Sequence, residues 1–483
     1  MQNFTVYSQS SLVGYNNHKI NELAISLSMF EAILAPVLLL FGAFFTIKLE
    51  FYKPHTIINL VVGCLKPQRK LKKGEISPIS GLLTALAGTI GTGNIVGVVG
   101  ALIIGGAGAI FWMWVSAFFS LATKYSEVFL AVKYKKHSQD VYGPMVYIEK
   151  GLGKSYKPLA ILFCVLGIIA CLGVGNSVQA NAISESVLAL IQSQAFVSQK
   201  GETVIRFAVG IFLAFAVVYA LHGGAARITK LSSILVPIMS GLYMLVCILV
   251  FIKSKQNAFS IINYIVRDAF DFKSVVGGFA GVGIAKSINM GITRGVFSHE
   301  AGMGSGSIAH AAASATTPQN QATLGIIEVV VDTFVICSAT AISVISAGVL
   351  MPEGGNINVM QTIQNAFATI LGNAGAGIFL SVSIALFAFS SMVSWSFYGS
   401  VCLKYVTNSS KRALSAFNWV YALFTIIGTV LSLNFVWSIS AILNLLMAVP
   451  NLYALARLRN EIKNNDDSQR VSQSVLARGR GTH

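Results

Sequence analysis

The sequence predicts an all-α protein that crosses a membrane eleven times, with one extra helix followed by two inverted repeats of five helices. Hydrophobic residues make up 54% of the 483 residues and charged residues only 11%, and the mean hydropathy is +0.70. Such a composition is too apolar for an ordinary soluble protein of this length. Eleven apolar stretches have the length that a bilayer core about 30 Å thick requires. Two of them are interrupted by glycines at matching positions.

Polar or basic loops separate the eleven stretches. The stretches lie at residues 23–51, 78–104, 108–132, 158–191, 203–221, 228–252, 274–306, 320–350, 373–403, 414–432 and 434–456. The first stretch is the extra helix. The others form two groups of five, and because five is odd the second group must cross the membrane in the opposite orientation to the first, as in many secondary transporters.

Basic residues are unevenly distributed between alternate loops. If the loop after the first stretch is cytoplasmic, that side carries 24 of the 34 lysines and arginines and the opposite side carries 7. Cytoplasmic loops of membrane proteins show this excess, so we expect the amino terminus outside and the carboxyl terminus inside. The net charge of +16 is then explained without a nucleic-acid partner, and membrane lipid is the expected neighbour of the basic tail.

The chain is expected to divide into four parts. Residues 1–77 hold an external amino terminus, the first membrane helix and a basic cytoplasmic linker; residues 78–252 form the first repeat, residues 253–456 the second, and residues 457–483 a disordered cytoplasmic tail. The six cysteines show no metal-binding spacing, and five lie in apolar stretches where a thiol packs as a small apolar group. The sequence indicates no cofactor and no obligate protein partner.

The second stretch contains the segment TIGTGNIVGVVG, which is unusually rich in glycine for a membrane helix. Five glycines between Gly88 and Gly100 together lose about 4 to 5 kcal/mol of helix propensity relative to alanine. Five more, between Gly291 and Gly306, interrupt the seventh stretch. Unwound backbone inside a membrane frees N–H and C=O groups that a small zwitterion and a cation can satisfy. Close packing of small residues between straight helices is the alternative interpretation.

A zinc enzyme, an ATP-driven pump and a channel are the alternatives to a secondary transporter. A zinc enzyme is excluded because SHEAGM has Met303 where the H-E-x-x-H motif needs its second histidine. An ATP-driven pump is excluded because GFAGVGIAKS departs from the nucleotide-binding loop pattern. A channel stays open on hydropathy alone, although channels often repeat short filters in symmetric subunits.

Six segments together resemble the alanine or glycine:cation symporter family of bacteria and archaea, whose members are similar to the broken-helix amino-acid transporters of the LeuT type. The segments are GTIGTGNIVG, GAIFWMWV with ATKYSE, GVGNSVQAN, TRGVFSHEAGMGS, VVVDTFVICS and FAFSSMVSWSFYG. The resemblance extends from about Leu34 to Leu455. It implies a LeuT-like fold and sodium-driven, or sometimes proton-driven, import of alanine or glycine across the plasma membrane.

The resemblance also implies a substrate site around the two breaks. The amino acid's carboxylate would lie against the backbone of Thr92 and Gly93, with Asn94 as a side-chain donor or ion ligand, and its ammonium would face the Thr89 carbonyl. In this scheme Trp395 is a bulky wall that keeps the site alanine-sized. The other implied substrate residues are Gln179, Ile183, Phe297, Ser298, Gly302, Met303 and Gly304.

A sodium site is implied between the second and ninth stretches. Its ligands would be backbone oxygens near Ala87, Ile90 and Phe387 and the hydroxyls of Ser390 and Ser391, because a hard cation takes hard oxygen ligands. The alternative interpretation of the two adjacent serines is ordinary bonding to their own helix backbone.

Two departures from the family pattern concern the coupling ion. The chain has Thr293–Gly295, reading Thr-Arg-Gly, where the family has Lys-Arg-Gly, and Ser298–Glu300, reading Ser-His-Glu, where the family has Ser-Asn-Glu. Histidine titrates near neutral pH, so His299 makes proton coupling an alternative to sodium; a neutral histidine bonded within the helix bundle is the other interpretation. Arg294 and Glu300 are candidates for pairing across the break, since charges inside a membrane rarely stay unpaired.

Four further charged residues lie inside apolar stretches. Glu328 and Asp332 share a helix face at a spacing of four residues, and Lys124 and Glu127 do so at a spacing of three. We expect structural pairing or gating from them in preference to contact with a ligand.

Overall fold

The computed structural model describes residues 36–462, apart from residues 65–70, 73–74, 136–140, 193–195, 271–279, 315, 350–358 and 432. All regular structure in the described residues is helical. Seven of the described helices are long and apolar enough to cross a membrane, and one bent pair raises the number to eight. The all-α, multi-pass prediction is therefore confirmed, whereas the count of eleven spans stays a prediction. Residues 23–35 of the first predicted stretch lie outside the described residues.

The helices follow the order of the predicted stretches. In the first half they are α1 (Pro36–Lys48), α2 (Pro54–Cys64), α3 (Pro78–Thr89), α4 (Val96–Gly105), α5 (Gly108–Lys133), α6 (Pro144–Leu152), α7 (Lys157–Leu172), α8 (Val178–Gln192), α9 (Gln199–His222) and α10 (Gly224–Ser254). In the second half they are α11 (Ala258–Ala269), α12 (Ala280–His299), α13 (Ser305–Ala312), α14 (Pro318–Val329), α15 (Ser338–Ser346), α16 (Val359–Thr407), α17 (Lys411–Val430) and α18 (Leu433–Arg457).

The second predicted stretch is broken between α3 and α4. Helix α3 begins after Ser77, whose hydroxyl oxygen accepts a hydrogen bond from the backbone N–H of Ser80 at 2.9 Å, a common helix cap. The helix ends because Ile90 leaves the helical conformation with ψ of 92°. A short 3₁₀ turn at Thr92–Asn94 then leads into α4 at a bend of 61°. The predicted interruption is therefore present.

The seventh predicted stretch is broken between α12 and α13. The backbone of Glu300, Gly302 and Gly304 adopts positive φ angles of 52°, 93° and 80°. Only glycine enters this region without strain, so the glycines at 302 and 304 allow the chain to turn out of one helix and into the next. The second interruption is therefore also present.

Another glycine of the same stretch has a different cause. Gly291 lies inside α12, and a Cβ atom there would come within 2.2 Å of the carbonyl oxygen of Ala109 on α5. Close approach of two helices explains this residue. The packing interpretation thus applies within α12, and the unwinding interpretation applies after it.

Two predicted spans, the fourth and the eighth, are less regular than expected. A π-helical segment, Gly173–Ser177, joins α7 to α8, and another, Val330–Cys337, joins α14 to α15. A π-helix bonds each residue to the fifth residue along the chain and often marks a functional site. The ninth predicted stretch begins directly after a kink at Gly372 of α16, where φ is 69°.

The first residues after α18 make hydrogen bonds to other helices, whereas the composition of residues 457–483 predicts a disordered tail. Glu461 accepts hydrogen bonds from Lys133, at 2.7 Å, and from the hydroxyl of Tyr134. Asn460 accepts a hydrogen bond from Lys48 at 3.1 Å. Residues 458–462 therefore pack against the ends of α1 and α5, and the rest of the predicted tail lies outside the described residues.

Candidate functional site

The two helix breaks meet at Asn94. Its Oδ1 atom accepts a hydrogen bond from the backbone N–H of Gly91 at 2.9 Å, which closes the first break on itself. Its Nδ2 atom donates to the hydroxyl of Ser298, 3.1 Å away at the end of α12. Asn94 is fully buried. One amide side chain therefore links the first break to the last turn of α12, directly before the second break.

Asp332 joins the same cluster from the π-helical segment of the eighth stretch. Its carboxylate accepts hydrogen bonds from Asn94 Nδ2 at 2.7 Å, from the Ser298 hydroxyl at 2.7 Å and from the Thr333 hydroxyl at 2.9 Å. Hydrogen bonds to a charged acceptor are among the stronger ones in proteins. Asp332 is therefore the common acceptor for the side chains that mark the two breaks.

Sequence reasoning missed this contact of Asp332. The spacing of four residues groups it with Glu328, but the π-helical segment begins between the two and changes which residues share a face. Glu328 consequently belongs to a separate cluster. The sequence feature that marks Asp332 as a site candidate is its position inside an apolar stretch, because a carboxylate there by itself indicates a functional site.

Several predicted substrate residues lie around the first break. The backbone N–H of Thr92 donates to Gln179 Oε1 at 3.3 Å, and Phe297 lies 3.5 Å from the position that a Cβ on Gly93 would take. The hydroxyl of Thr92 is buried and finds no hydrogen-bond partner among the described residues. Ile183 is buried one turn after Gln179 on α8. The break thus contains a polar atom that a ligand could satisfy.

The predicted residues within the second break take part in a different cluster. The backbone N–H of Gly304 donates to Glu127 Oε1 at 3.0 Å, and the Gly302 carbonyl accepts from Asn451 Nδ2 at 2.9 Å. Met303, between them, is buried. These backbone groups are bonded to α5 and α18, so their part in substrate binding stays a prediction.

The predicted sodium ligands converge between α3 and α16. The Ser390 hydroxyl lies 2.9 Å from the Phe387 carbonyl and 3.5 Å from the Ala87 carbonyl. The Ser391 hydroxyl donates to the Gly88 carbonyl of α3 at 3.0 Å. Ser390 therefore bonds to the backbone of its own helix, as in the alternative interpretation, and also lies near α3, whereas Ser391 bonds to α3 directly.

Ile90 is a further predicted source of a carbonyl ligand, and that role stays a prediction. It is buried and ends α3 with an extended ψ, which turns its carbonyl away from the helical direction. The described residues contain no group of three histidine, cysteine or carboxylate side chains that could hold a metal ion. Hydroxyl and carbonyl oxygens are therefore the donor set that this part of the chain offers to a hard cation.

A buried ion pair links four helices elsewhere in the described structure. Lys124 on α5 lies 3.0 Å from Glu328 on α14, and His310 on α13 lies 2.9 Å from the other oxygen of Glu328. Gln321 lies 2.9 Å from His310 and donates to the Pro78 carbonyl at the start of α3 at 3.2 Å. The expected structural pairing is therefore present, with Lys124 bonded to Glu328.

His299 is held as a hydrogen-bonded residue inside the bundle. The backbone N–H of Ala301 donates to its Nδ1 atom at 3.2 Å, and its Nε2 atom lies 3.4 Å from the Ser116 hydroxyl. Because a backbone N–H can only donate, Nδ1 is an acceptor and carries no proton in this arrangement. The geometry fits the neutral interpretation of His299.

Glu300 does not depend on Arg294 for its hydrogen bonds. Its carboxylate accepts from the Trp395 indole N–H at 3.0 Å and from the Ser305 hydroxyl at 2.6 Å. The proposed pairing of Arg294 with Glu300 stays a prediction, and the contact with Trp395 is one that the sequence did not reveal.

Comparison with known proteins identifies the family to which these two broken helices belong. Residues 17–472 match the sodium:alanine symporter family. This chain belongs to that family. Its members are transporters, so the chain is a transporter and not an enzyme.

Curated relatives in the family match the chain over most of its length. An uncharacterized transporter of Haemophilus influenzae is 36% identical over 89% of this chain and 91% of its own length. The sodium/alanine symporter AgcS of Methanococcus maripaludis is 34% identical over 88% of this chain and 93% of its own length. The resemblance drawn from the six segments is thereby confirmed.

A solved structure confirms the LeuT-type fold. The crystal structure of MhsT in complex with L-phenylalanine aligns with a TM-score of 0.57 over 81% of this chain and 90% of that chain, at 15% sequence identity. At this identity the likeness concerns the fold alone.

Proposed function

We propose that the protein imports a small neutral amino acid, alanine or glycine, together with a sodium ion, by alternating access around its two broken helices. The observation that carries the proposal is the hydrogen bond between Asn94 and Ser298, which joins the first break to the end of α12, where the second break begins. Freed backbone groups at such a place suit the carboxylate and ammonium of an amino acid. The name of the archaeal relative AgcS supports alanine and sodium.

The proposed substrate site uses both sides of the first break. The carboxylate lies against the backbone of Thr92 and Gly93, near the start of α4, where the helix dipole favours an anion. The buried Thr92 hydroxyl, which lacks a partner among the described residues, supplies a further hydrogen bond. The ammonium faces the Thr89 carbonyl and the end of α12 at Phe297 and Ser298.

The remaining proposed contacts close the site. Gln179 and Ile183 form one wall on α8, and Trp395 forms the wall on α16. Gly302, Met303 and Gly304 form the turn that precedes the return half-helix α13, and their proposed role is to shape the site through this turn.

The proposed sodium site lies between α3 and α16. Its ligands are the carbonyls of Ala87, Ile90 and Phe387 and the hydroxyls of Ser390 and Ser391. Two observations support this assignment: the Ser390 hydroxyl lies 2.9 Å from the Phe387 carbonyl of its own helix and 3.5 Å from the Ala87 carbonyl of α3, and the Ser391 hydroxyl reaches α3 at the Gly88 carbonyl, next to Ala87, at 3.0 Å. One cation crossing a potential of 100 mV supplies about 2.3 kcal/mol, so a single ion is sufficient to concentrate a neutral amino acid.

Proton coupling is the alternative for the same transport reaction. It would need a group that gains and loses a proton during the cycle, and His299 is the sequence-based candidate. The hydrogen bond from Ala301 to Nδ1 of His299 favours sodium, because it occupies the atom that would take up the proton.

The proposed setting is the plasma membrane, with the amino terminus outside and the carboxyl terminus in the cytoplasm. In this orientation the cluster of Lys124, His310 and Glu328 lies on the cytoplasmic side of the breaks. It would hold α5, α13 and α14 together when the path to the cytoplasm is closed. Membrane lipid is the only other proposed partner.

Uptake into proteoliposomes tests the proposed function. We expect labelled alanine or glycine to accumulate when a sodium gradient is imposed, and Asn94→Ala and Gln179→Ala to abolish most of this uptake. Gln192→Ala is the matched control, because Gln192 lies on the same helix as Gln179 but is exposed and bonded to Glu202. Accumulation driven by a proton gradient alone would contradict the sodium assignment. Equilibration without accumulation, independent of both ions, would show a channel.

A further inference from the structure

Glu300 and Trp395 form a buried pair beside the second helix break. The indole N–H of Trp395 donates to Glu300 Oε1 at 3.0 Å, and the other carboxylate oxygen accepts from Ser305 at 2.6 Å. Trp395 is 1% exposed and Glu300 is 2% exposed. One carboxylate therefore connects the wall helix α16 to the first residue of α13.

Trp395 also packs edge-on against Tyr398, with ring centroids 5.5 Å apart, and further contacts hold the base of its side chain. A Cβ on Gly175 would come within 2.2 Å of the Trp395 Cβ and 2.4 Å of its Cγ, so the π-helical segment packs directly against this part of the residue. Cys171 donates a hydrogen bond to the Trp395 carbonyl at 2.9 Å. The tip of the ring carries a single donor, the indole N–H. Glu300 accepts it and thereby fixes the direction in which the ring points.

The backbone of Glu300 indicates that its side chain is needed at this position. Its φ of 52° lies in the region that residues other than glycine enter with strain, and glycines follow at positions 302 and 304 of the same turn. Strain of this kind is retained where the surrounding structure uses the residue. The bonds to Trp395 and Ser305 are such a use.

We propose that Glu300 is a positioning residue that holds the Trp395 indole against the substrate site and so limits the size of the amino acid that is accepted. Glu300 acts through Trp395 and needs no contact with the amino acid. The inference rests on the proposed function, because it concerns which amino acids the same site accepts.

Substrate selectivity is the measurement that separates positioning from a general structural role. We would measure the ability of alanine and of leucine to compete for labelled alanine uptake, and take the ratio of their inhibition constants. Glu300→Ala is expected to reduce the preference for alanine by about fivefold or more, which is the scale of one lost hydrogen bond. Glu300→Gln keeps an acceptor for the indole N–H and is expected to stay within about twofold of the wild type.

Glu149 on α6 provides a matched control, because its partner lies on the same long helix as Trp395. Glu149 accepts a hydrogen bond from the Tyr405 hydroxyl of α16 at 2.7 Å, away from the helix breaks. Glu149→Ala therefore removes a carboxylate bonded to an aromatic residue of the same helix, and we expect no change in the selectivity ratio.

Trp395→Phe tests the pair from the other side. Phenylalanine keeps an aromatic ring but lacks the donor, so its selectivity is expected to fall as in Glu300→Ala. In the Trp395→Phe background, Glu300→Ala is expected to have no further effect, because the bond it would remove is already absent. Additive effects in the double variant, equal losses in Glu300→Ala and Glu300→Gln, or an unchanged ratio in Glu300→Ala would each overturn the proposal.

Tryptophan fluorescence gives a readout that does not require transport. The chain has five tryptophans, and the difference between a protein and its Trp395→Phe counterpart isolates the emission of Trp395. We expect this emission to shift to longer wavelength in Glu300→Ala and to remain in place in Glu300→Gln; an unshifted emission in Glu300→Ala would show that the carboxylate does not hold the ring. If the wild type fails to accumulate alanine or glycine, the proposed function is wrong, and the fluorescence still decides whether Glu300 positions Trp395.

Discussion

The side-chain amide of Asn94 lies 2.7 Å from the carboxylate of Asp332, although the two residues are 238 positions apart in the chain. Asn94 belongs to the break in the first repeat and Asp332 to a π-helical segment in the second half. The same carboxylate also accepts a hydrogen bond from Ser298 at the end of α12. The geometry of the two breaks therefore depends on a residue that lies in neither of them.

Removing the Asp332 carboxylate should disable transport. Asp332→Ala removes the carboxylate acceptor that Asn94 and Ser298 share, and hydrogen bonds to a charged group contribute about 1.5–3 kcal/mol each. We expect alanine uptake to fall at least about tenfold, together with a lower thermal midpoint of the purified protein. Asp268→Ala is the control, since Asp268 also accepts one backbone hydrogen bond, from Gly108 at 2.6 Å, but lies outside this cluster. Equal uptake by the wild type and Asp332→Ala would contradict the prediction.

Loss of a serine hydroxyl at the proposed cation site should weaken the dependence on sodium. We expect Ser391→Ala and Ser390→Ala to raise the sodium concentration for half-maximal uptake by about tenfold, equivalent to about 1.4 kcal/mol of binding free energy. Ser400→Ala removes a hydroxyl of the same helix that donates to the Ser396 carbonyl at 2.7 Å, and it should leave the sodium dependence unchanged. A sodium dependence that is identical in all four proteins would remove Ser390 and Ser391 from the site.

The buried pair of Lys124 and Glu328 should show strong coupling in a double-mutant cycle. Removing one member leaves the other at a position of 0% exposure without its ion-pair partner, and breaking a buried pair typically costs about 3–5 kcal/mol. We expect Lys124→Met and Glu328→Met each to lower the thermal midpoint sharply, and the double variant to recover part of the loss because both charges of this pair are removed together. Midpoint shifts that simply add in the double variant would show that the two residues act independently.

The docking of residues 458–462 should weaken in acid. Burial raises the pKa of Glu461, but the hydrogen bonds from Lys133 and Tyr134 outweigh it and hold the pKa below the usual range of a glutamate. A lowered pKa stabilises the docked state above the pKa of the free carboxyl group, and this stabilisation is lost as the pH falls through the lowered value. The protection of these amides against hydrogen exchange, taken relative to the intrinsic exchange rate at each pH, should therefore fall below about pH 4. In Glu461→Gln this protection should be low already at neutral pH and should not fall further in acid.

The sequence predicts those features of the fold that follow from local composition. Glycine clusters in the second and seventh stretches mark both breaks, because a run of glycines is a poor helix former wherever it occurs. Asn94 and Ser298, adjacent to those clusters, emerge as site candidates for the same reason. The kink at Gly372 also coincides with the start of a predicted span.

The contacts of the buried charged residues cannot be predicted from local composition. Lys124 and Glu328 are 204 positions apart, and helical spacing groups each of them with a nearer neighbour. Asp332 reaches Asn94 because a π-helical segment changes its direction, and no residue pattern in that segment distinguishes a π-helix from an α-helix. The bond between Glu300 and Trp395 depends in addition on the turn after His299, whose positive φ angles are a property of the folded backbone.

The long separation between Asn94 and its acceptors has a consequence during synthesis. A ribosome adds about 5–20 residues per second, so roughly 10 to 50 seconds pass between the appearance of Asn94 and that of Asp332. During this interval the first broken helix enters the bilayer with an amide group whose acceptors have not yet been made. The insertion machinery, or water held beside the nascent chain, must shelter that group until the second half arrives.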